Sequence, residues 1–179
     1  MDFRQKTAYS LNQKPGERVL QPLHLFTDGA YFAQHHLGGW GVAIYDQNQQ
    51  LIHQLNGVEA ADSSLQMELK AVIQALEWCQ NRPKNTQIAL YTDAKIVLEG
   101  LFEKVPIWHK NHWHGANGNS VVFAELWQKL FDLANQPNIT FYWIKGHRRH
   151  PQNQLADQLA RQTILNLKSP QRCFSISAP

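Results

Sequence analysis

The chain has 179 residues, of which 43% are hydrophobic and 17% charged, and its formal net charge is +3. This length suits one domain that buries a core without disulfides or a structural metal, and the composition excludes a disordered chain. Cys79 and Cys173 form no spacing motif and no stretch reaches membrane-spanning length, so we expect free thiols, no membrane contact and a cytoplasmic protein. The small positive charge is compatible with a polyanionic partner but does not identify one.

Apolar periodicity predicts one α/β domain, at residues 22–168, between two tails. Residues 1–21 and 169–179 lack a packing pattern, so we expect an N-terminal tail that is flexible or loosely docked, and a C-terminal tail. The predicted strands span residues 23–28, 38–46, 51–58, 87–92 and 139–144. The predicted helices span residues 63–81, 94–101, 121–134 and 154–167, and residues 103–120 show no clean period. This order predicts a mixed five-stranded sheet flanked by helices, with the first three strands as an antiparallel meander.

Two of these strands end in Thr-Asp, at Asp28 and at Asp93. Each aspartate is therefore predicted at the C-terminal end of its strand. If the two strands are parallel neighbours, both carboxylates lie at one sheet edge, where open α/β sheets bind ligands. Two carboxylates that close need a shared proton or a divalent cation between them. Asp-Gly after a strand is also an ordinary turn, so the pair alone does not establish a site.

Two further acids lie on the apolar sides of predicted helices. Glu68 comes three residues after Leu65, and Asp157 comes three before Ala160. Either acid alone could be a locally hydrogen-bonded group at the edge of an apolar stripe. Four anions that converge on one sheet edge, however, call for hard divalent cations, Mg²⁺ or Mn²⁺, as in two-metal phosphoryl chemistry.

Five motifs resemble the type 1 ribonuclease H family in order and spacing, over residues 23–164. They are Thr27-Asp28-Gly29, Met67-Glu68-Leu69-Lys70-Ala71, Tyr91-Thr92-Asp93, Trp143-Ile144-Lys145-Gly146-His147 and His150-Pro151-Gln152-Asn153-Gln154-Leu155-Ala156-Asp157-Gln158-Leu159-Ala160. The resemblance implies the ribonuclease H-like fold and two Mg²⁺ ions, with Mn²⁺ as an alternative. It also implies four metal-binding carboxylates, Asp28, Glu68, Asp93 and Asp157, with His147 as a mobile catalytic histidine beside them.

The resemblance further implies an enzyme that cuts the RNA strand of an RNA/DNA hybrid internally, leaving 5′-phosphate and 3′-hydroxyl ends. In a two-metal mechanism, one ion generates the attacking hydroxide and the other stabilises the leaving 3′-oxygen. His147 could exchange a proton or help release the product, since histidine titrates near neutral pH. The alternative is a surface-loop histidine without a role.

Substrate contacts are expected at positions that partly depart from the family pattern. Gln34 and Ser64 stand where the family often has Asn, and Gln66 stands where a basic residue is common. Residues 107–115, here called the histidine-rich segment, resemble the protrusion with which some members hold the DNA strand. Interleaved aromatic and basic residues suit sugar stacking and phosphate contact. The predicted substrate-binding residues are Gly29, Gln34, Ser64, Gln66, Lys110, Trp113 and Asn153.

Three other interpretations stay open. His109, His112 and His114 could form a zinc site. The protein could instead be a nuclease of the same fold that acts on another nucleic acid, or a non-catalytic module that binds hybrids. The Lys-Gly-His motif argues against another nuclease. The four acids argue against a binding module, because clustered anions repel a phosphate backbone. The sequence indicates no protein partner, and we expect a monomer.

Overall fold

The structure, a computed structural model, describes residues 8–10, 20–146 and 150–168. Its six strands form one mixed sheet in the spatial order β1-β6-β5-β2-β3-β4. The strands are β1 (Ala8–Ser10), β2 (Leu20–Phe32), β3 (Leu37–Tyr45), β4 (Leu51–Ala60), β5 (Thr86–Thr92) and β6 (Ile139–Trp143). The helices are α1 (Ser64–Cys79), α2 (Lys95–Glu99), α3 (Val105–Lys110), α4 (Ala124–Ala134) and α5 (Pro151–Lys168).

The predicted mixed α/β sheet is confirmed, with all five expected strands. β2, β3 and β4 form the antiparallel meander, while β5 pairs in parallel with both β2 and β6. The sheet has one strand more than predicted, because β1 pairs antiparallel with β6. Ala8–Ser10 thus form a strand within the tail that the sequence predicts to be flexible or loosely docked, since three residues are too few to reveal a period. Other parts of the predicted tails, residues 1–7, 11–19 and 169–179, lie outside the described residues.

Helices α1 and α5 cover opposite faces of the sheet. Leu25 is fully buried in the large core that includes the apolar face of α1, whereas Phe26 packs with Ala156 of α5. Successive residues of a strand point to opposite faces, so β2 contributes to both layers. The central strand thus lies between the two helices that carry Glu68 and Asp157.

The start of α1 is fixed by two reciprocal hydrogen bonds. Ser63 Oγ accepts from the Gln66 backbone N–H at 3.3 Å, and Gln66 Oε1 accepts from the Asp62 N–H at 2.9 Å. Such caps satisfy backbone donors that the first turn of a helix leaves unpaired. They set the helix start, and hence Glu68 in the second turn, relative to the sheet.

The chain is helical further along than predicted. A π-helical segment, Gly100–Lys104, joins α2 to α3, so helical structure continues to Lys110. The expectation of irregular structure from residue 103 is wrong for this part, because the π-helical segment shifts the apolar period. Gly100 packs directly on Trp127 of α4, where a Cβ atom would lie 2.2 Å from the ring.

Candidate active site

Asp28 and Asp93 lie next to each other, each one residue beyond the last residue pair of the parallel strands β2 and β5. The parallel pairing of β2 with β5 ends at Thr27 and Thr92. Asp28 is not at a strand end as predicted, because β2 continues to Phe32 by pairing with β3 alone. What places the two carboxylates together is the end of the parallel ladder.

Glu68 completes a compact group of three carboxylates. One ligand atom each from Asp28, Glu68 and Asp93 lies within 4.8 Å of the others. Helix α1 approaches β2 closely, since a Cβ atom on Gly29 would lie 2.4 Å from the Glu68 backbone nitrogen. Only glycine permits this close approach of α1 to β2, which brings Glu68 to Asp28 and Asp93.

Burial and mutual repulsion oppose ionisation of these acids. Asp28 is only 7% exposed, and its burial, with the charges of Asp93 and Asp157, raises its pKa to about 8. Burial, followed by the charges of Asp28 and Asp93, raises the pKa of Glu68 well above its ordinary value. The three acids therefore resist being charged together unless a cation joins them.

The donor set fits a divalent metal ion. Carboxylate oxygens are the ligands that hard divalent cations prefer. Glu68 Oε2 is buried and has no hydrogen-bond partner among the described residues, so it has an oxygen available for a ligand. Asp28, Glu68 and Asp93 form the one close group of three or more metal-ligating side chains within the described ranges.

Asp157 lies at the same cleft but apart from this group. Its side chain is 41% exposed and pairs with Arg161 Nε at 2.5 Å, one turn along α5. Both residues line a cleft of about 490 Å³ together with the three clustered acids. The structure thus brings three of the four predicted metal ligands together and holds the fourth at the cleft wall. His147 lies outside the described residues.

Asn153, predicted to bind substrate, faces one of the three clustered acids. Its side chain is 7% exposed, and its Nδ2 donates to Asp28 Oδ2 at 3.2 Å. Its Oδ1 is buried without a partner in the described part of the chain. Asn153 and Gly29 therefore contact the acids, and their contact with substrate stays a prediction.

The other predicted substrate-binding residues lie outside the acidic cluster. Gln34 is exposed in a 3₁₀ turn between β2 and β3, and Ser64 is exposed at the start of α1. The side chain of Gln66 is engaged in the helix cap. Lys110 is exposed at the end of α3. None of these residues lines the acidic cleft.

The histidine-rich segment begins in the last turn of α3 and continues into a tight turn. His112 and Trp113 have φ values of 50° and 61°, in the left-handed region. Trp113 is half-buried against the core, and its N–H donates to the Trp108 carbonyl at 2.7 Å. As far as the structure describes the chain, His109, His112 and His114 do not form a close ligand group, so it does not support the zinc alternative.

Four residues that the sequence did not single out also line the cleft: Lys145, His150, Gln154 and Arg161. The first three belong to the quoted motifs and could have been found as neighbours of their acidic or histidine residues. Arg161 is four residues after Asp157, the spacing at which helix side chains meet. The cations of Lys145 and Arg161 and the amide of Gln154 thus line the cleft together with the acids.

A mixed α/β sheet with a carboxylate cluster at one edge defines a ribonuclease H-like protein. The RNase H family matches residues 21–165 of this chain. The ribonuclease H of Rhizobium meliloti (strain 1021) is 33% identical over 157 residues, covering 88% of this chain and 99% of that protein. The chain belongs to the RNase H family.

Solved structures agree on the fold. The crystal structure of LC9-RNase H1, a type 1 RNase H with the type 2 active-site motif, matches with a TM-score of 0.73 and 20% identity, covering 84% of this chain and 75% of that one. A foamy viral protease-reverse transcriptase in complex with RNA/DNA hybrid matches with a TM-score of 0.70 and 18% identity, covering 91% and 23%. In the described part of this chain, no helix has the length and apolar character needed to cross a membrane.

Proposed function

We propose that this protein is a ribonuclease H, an endonuclease that hydrolyses the RNA strand of RNA/DNA hybrids to 5′-phosphate and 3′-hydroxyl ends. Family membership over residues 21–165 supports the assignment. The observation that carries it is the close group of Asp28, Glu68 and Asp93, whose mutual repulsion a bound divalent cation would relieve. A binding module would gain little from three clustered carboxylates beside a phosphate backbone.

We propose Mg²⁺ as the natural ion, two per site, with Mn²⁺ as a substitute. Asp28, Glu68 and Asp93 would hold them, with Asp157 joining after release from Arg161. Bound divalent ions supply a hydroxide nucleophile near neutral pH and stabilise the leaving 3′-oxygen. No nucleophilic side chain is required.

The chain's own groups orient the acids and the substrate. Asn153 holds the Asp28 carboxylate by a hydrogen bond, and against the larger effect of burial the Gly29 backbone N–H lowers the pKa of that carboxyl. Lys145 and Arg161 at the cleft wall can attract the phosphate backbone. His147 is proposed to exchange a proton with the product or to help release it.

The proposed substrate surface extends beyond the cleft. Gln34, Ser64 and Lys110 are exposed and can reach a nucleic acid, while Trp113 offers a half-buried ring. The hybrid bound by the foamy viral relative supports a nucleic-acid partner of this type. We further propose a monomer in the cytoplasm.

One assay tests this function against its two rivals. Labelled RNA/DNA hybrid, double-stranded DNA and double-stranded RNA are incubated with the full chain and Mg²⁺, with Asp93→Asn as the matched control. We expect cleavage of the hybrid alone, in its RNA strand, and none with Asp93→Asn or with EDTA. Cleavage of another duplex would favour a different nuclease, and tight hybrid binding without cleavage would favour a binding module.

A further inference from the structure

Gly146 lies directly beside the side chain of Asp93. A Cβ atom on Gly146 would lie 2.7 Å from Asp93 Oδ2, 3.5 Å from its Cγ and 3.6 Å from its Cβ. Non-bonded heavy atoms normally pack at about 3.5–4.0 Å, so a methyl group does not fit. Since all three nearest atoms belong to Asp93, an added side chain would meet this carboxylate first.

Space, and not backbone conformation, makes glycine necessary at position 146. Among the described glycines, Gly118 alone has a positive φ. Alanine can therefore adopt the backbone of Gly146 without strain. Glycine is needed at this position because its lack of a side chain leaves space for the Asp93 carboxylate.

The main chain of Asp93 is fixed by hydrogen bonds. The Asp93 carbonyl accepts from the Lys95 N–H at 2.9 Å and from Trp143 Nε1 at 3.2 Å. The Ile144 N–H donates to the Thr92 carbonyl at 3.0 Å, which extends the β5–β6 ladder to two residues before Gly146. With the Asp93 main chain held, its side chain is the group that can give way, by changing rotamer.

Gly29 provides a contrast within the same site. A Cβ atom there would lie 2.4 Å and 2.5 Å from backbone atoms of Glu68 and Met67. Substitution of Gly29 would displace helix α1 and disturb the fold together with the site. Substitution of Gly146 would disturb the site alone.

We propose that Gly146 is a positioning residue for the metal site. By lacking a side chain, it leaves room for the rotamer in which the Asp93 carboxylate joins those of Asp28 and Glu68. This inference rests on the proposed metal-dependent function. Gly146→Ala displaces the Asp93 carboxylate and weakens divalent-cation binding, while the fold is retained.

The test measures Mg²⁺ affinity and stability separately on the full chain. Calorimetric titration gives the Mg²⁺ Kd, and thermal unfolding in EDTA gives the stability of the metal-free protein. Gly115→Ala is the matched control, because its Cβ would meet only loop atoms, with Asn117 Oδ1 at 3.1 Å, and Gly115 does not line the cleft.

For Gly146→Ala we expect a Kd about tenfold above wild type, the size of effect seen when groups that orient metal ligands are lost. Its metal-free unfolding temperature should be unchanged or higher, since the displaced carboxylate repels its neighbours less. Gly115→Ala should keep the wild-type Kd.

A wild-type Mg²⁺ Kd for Gly146→Ala would overturn the inference, whether or not the metal-free protein is less stable. In an Asp93→Asn background, Gly146→Ala should change the Kd by less than about twofold, because the two substitutions act through one carboxylate. A further tenfold loss there would also overturn it. If the wild-type protein bound no Mg²⁺, the proposed function itself would fail. If the wild-type protein bound Mg²⁺ and Gly146→Ala bound it equally well, only the inference about Gly146 would fail.

Discussion

Asp28 is buried and lies near two other acids, Asp93 and Asp157, so its ionised form destabilises the folded, metal-free protein. Its pKa is about 8 in the folded protein, against an ordinary value of 3.8. The folded state therefore binds this proton more tightly than the unfolded state does. The resulting stabilisation is fully present below about pH 4 and is lost as the pH rises through 8. A divalent cation would offset this loss.

Asp28→Asn should accordingly abolish cleavage while stabilising the metal-free protein at alkaline pH. In EDTA, we expect the wild-type unfolding temperature to fall between pH 5 and 8.5, and the Asp28→Asn protein to show a flatter profile. Circular dichroism melts across this range provide the measurement. Asp132→Asn, at an exposed acid of α4, is the control and should retain the wild-type slope. Equal slopes for wild type and Asp28→Asn would contradict the prediction.

Several features of the site could not be read from the residue pattern. The motifs around Asp28, Glu68 and Asp93 predicted which acids to examine, and the structure places these three together. The ion pair of Asp157 with Arg161 depends on side-chain rotamers, which periodicity does not determine. The approach of Gly146 to Asp93 depends on a loop path that no local pattern specifies.

At the scale of elements, strand and helix type were predictable and their ends were not. β2 continues past Asp28 because β3 offers it a partner, and a sequence does not display where a partner strand stops. The helical stretch to Lys110 was missed because a π-helical segment interrupts the usual spacing. Tertiary partners set element boundaries in both cases.

The histidine-rich segment yields a prediction about hybrid binding. His109, His112 and His114 are exposed beside the half-buried ring of Trp113. Replacing all three with alanine should weaken hybrid binding, because imidazole N–H groups can donate hydrogen bonds to phosphate oxygens.

The measurement is the hybrid Kd of the Asp93→Asn protein, with and without the triple substitution, at one fixed pH. Trp113→Ala should also weaken binding, and its packing against the core predicts a lower unfolding temperature as well. A triple variant that binds like its parent would show that the segment does not contact the hybrid.

For the molecule as a whole, we expect the described N-terminal strand to add to stability. β1 contributes three residue pairs at the outer edge of β6. Hydrogen bonds of this kind contribute about 0.5–1.5 kcal/mol each. Deleting residues 1–19 should therefore lower the unfolding temperature by several degrees, at roughly 2–4 °C per kcal/mol, and leave hybrid cleavage near the wild-type rate.

Thermal melts and steady-state cleavage of the truncated protein test this expectation. Tyr9→Pro in the full chain is the matched control, because proline removes one backbone donor from β1 without removing the segment. A truncated protein that is fully folded but inactive would mean that the N-terminal residues take part in the reaction.

The site is assembled from widely separated parts of the chain, and this sets when it can form during synthesis. The hydrogen bond from Asn153 to Asp28 joins residues 125 positions apart, and Thr27 bonds to Tyr91 across 64 positions. Contacts of such long sequence separation form slowly, since the entropy of loop closure opposes them. A nascent chain would expose the strand and helix acids well before α5 emerges from the ribosome. We therefore expect nuclease activity to be among the last properties that the growing chain acquires, after nearly all of the domain has been made.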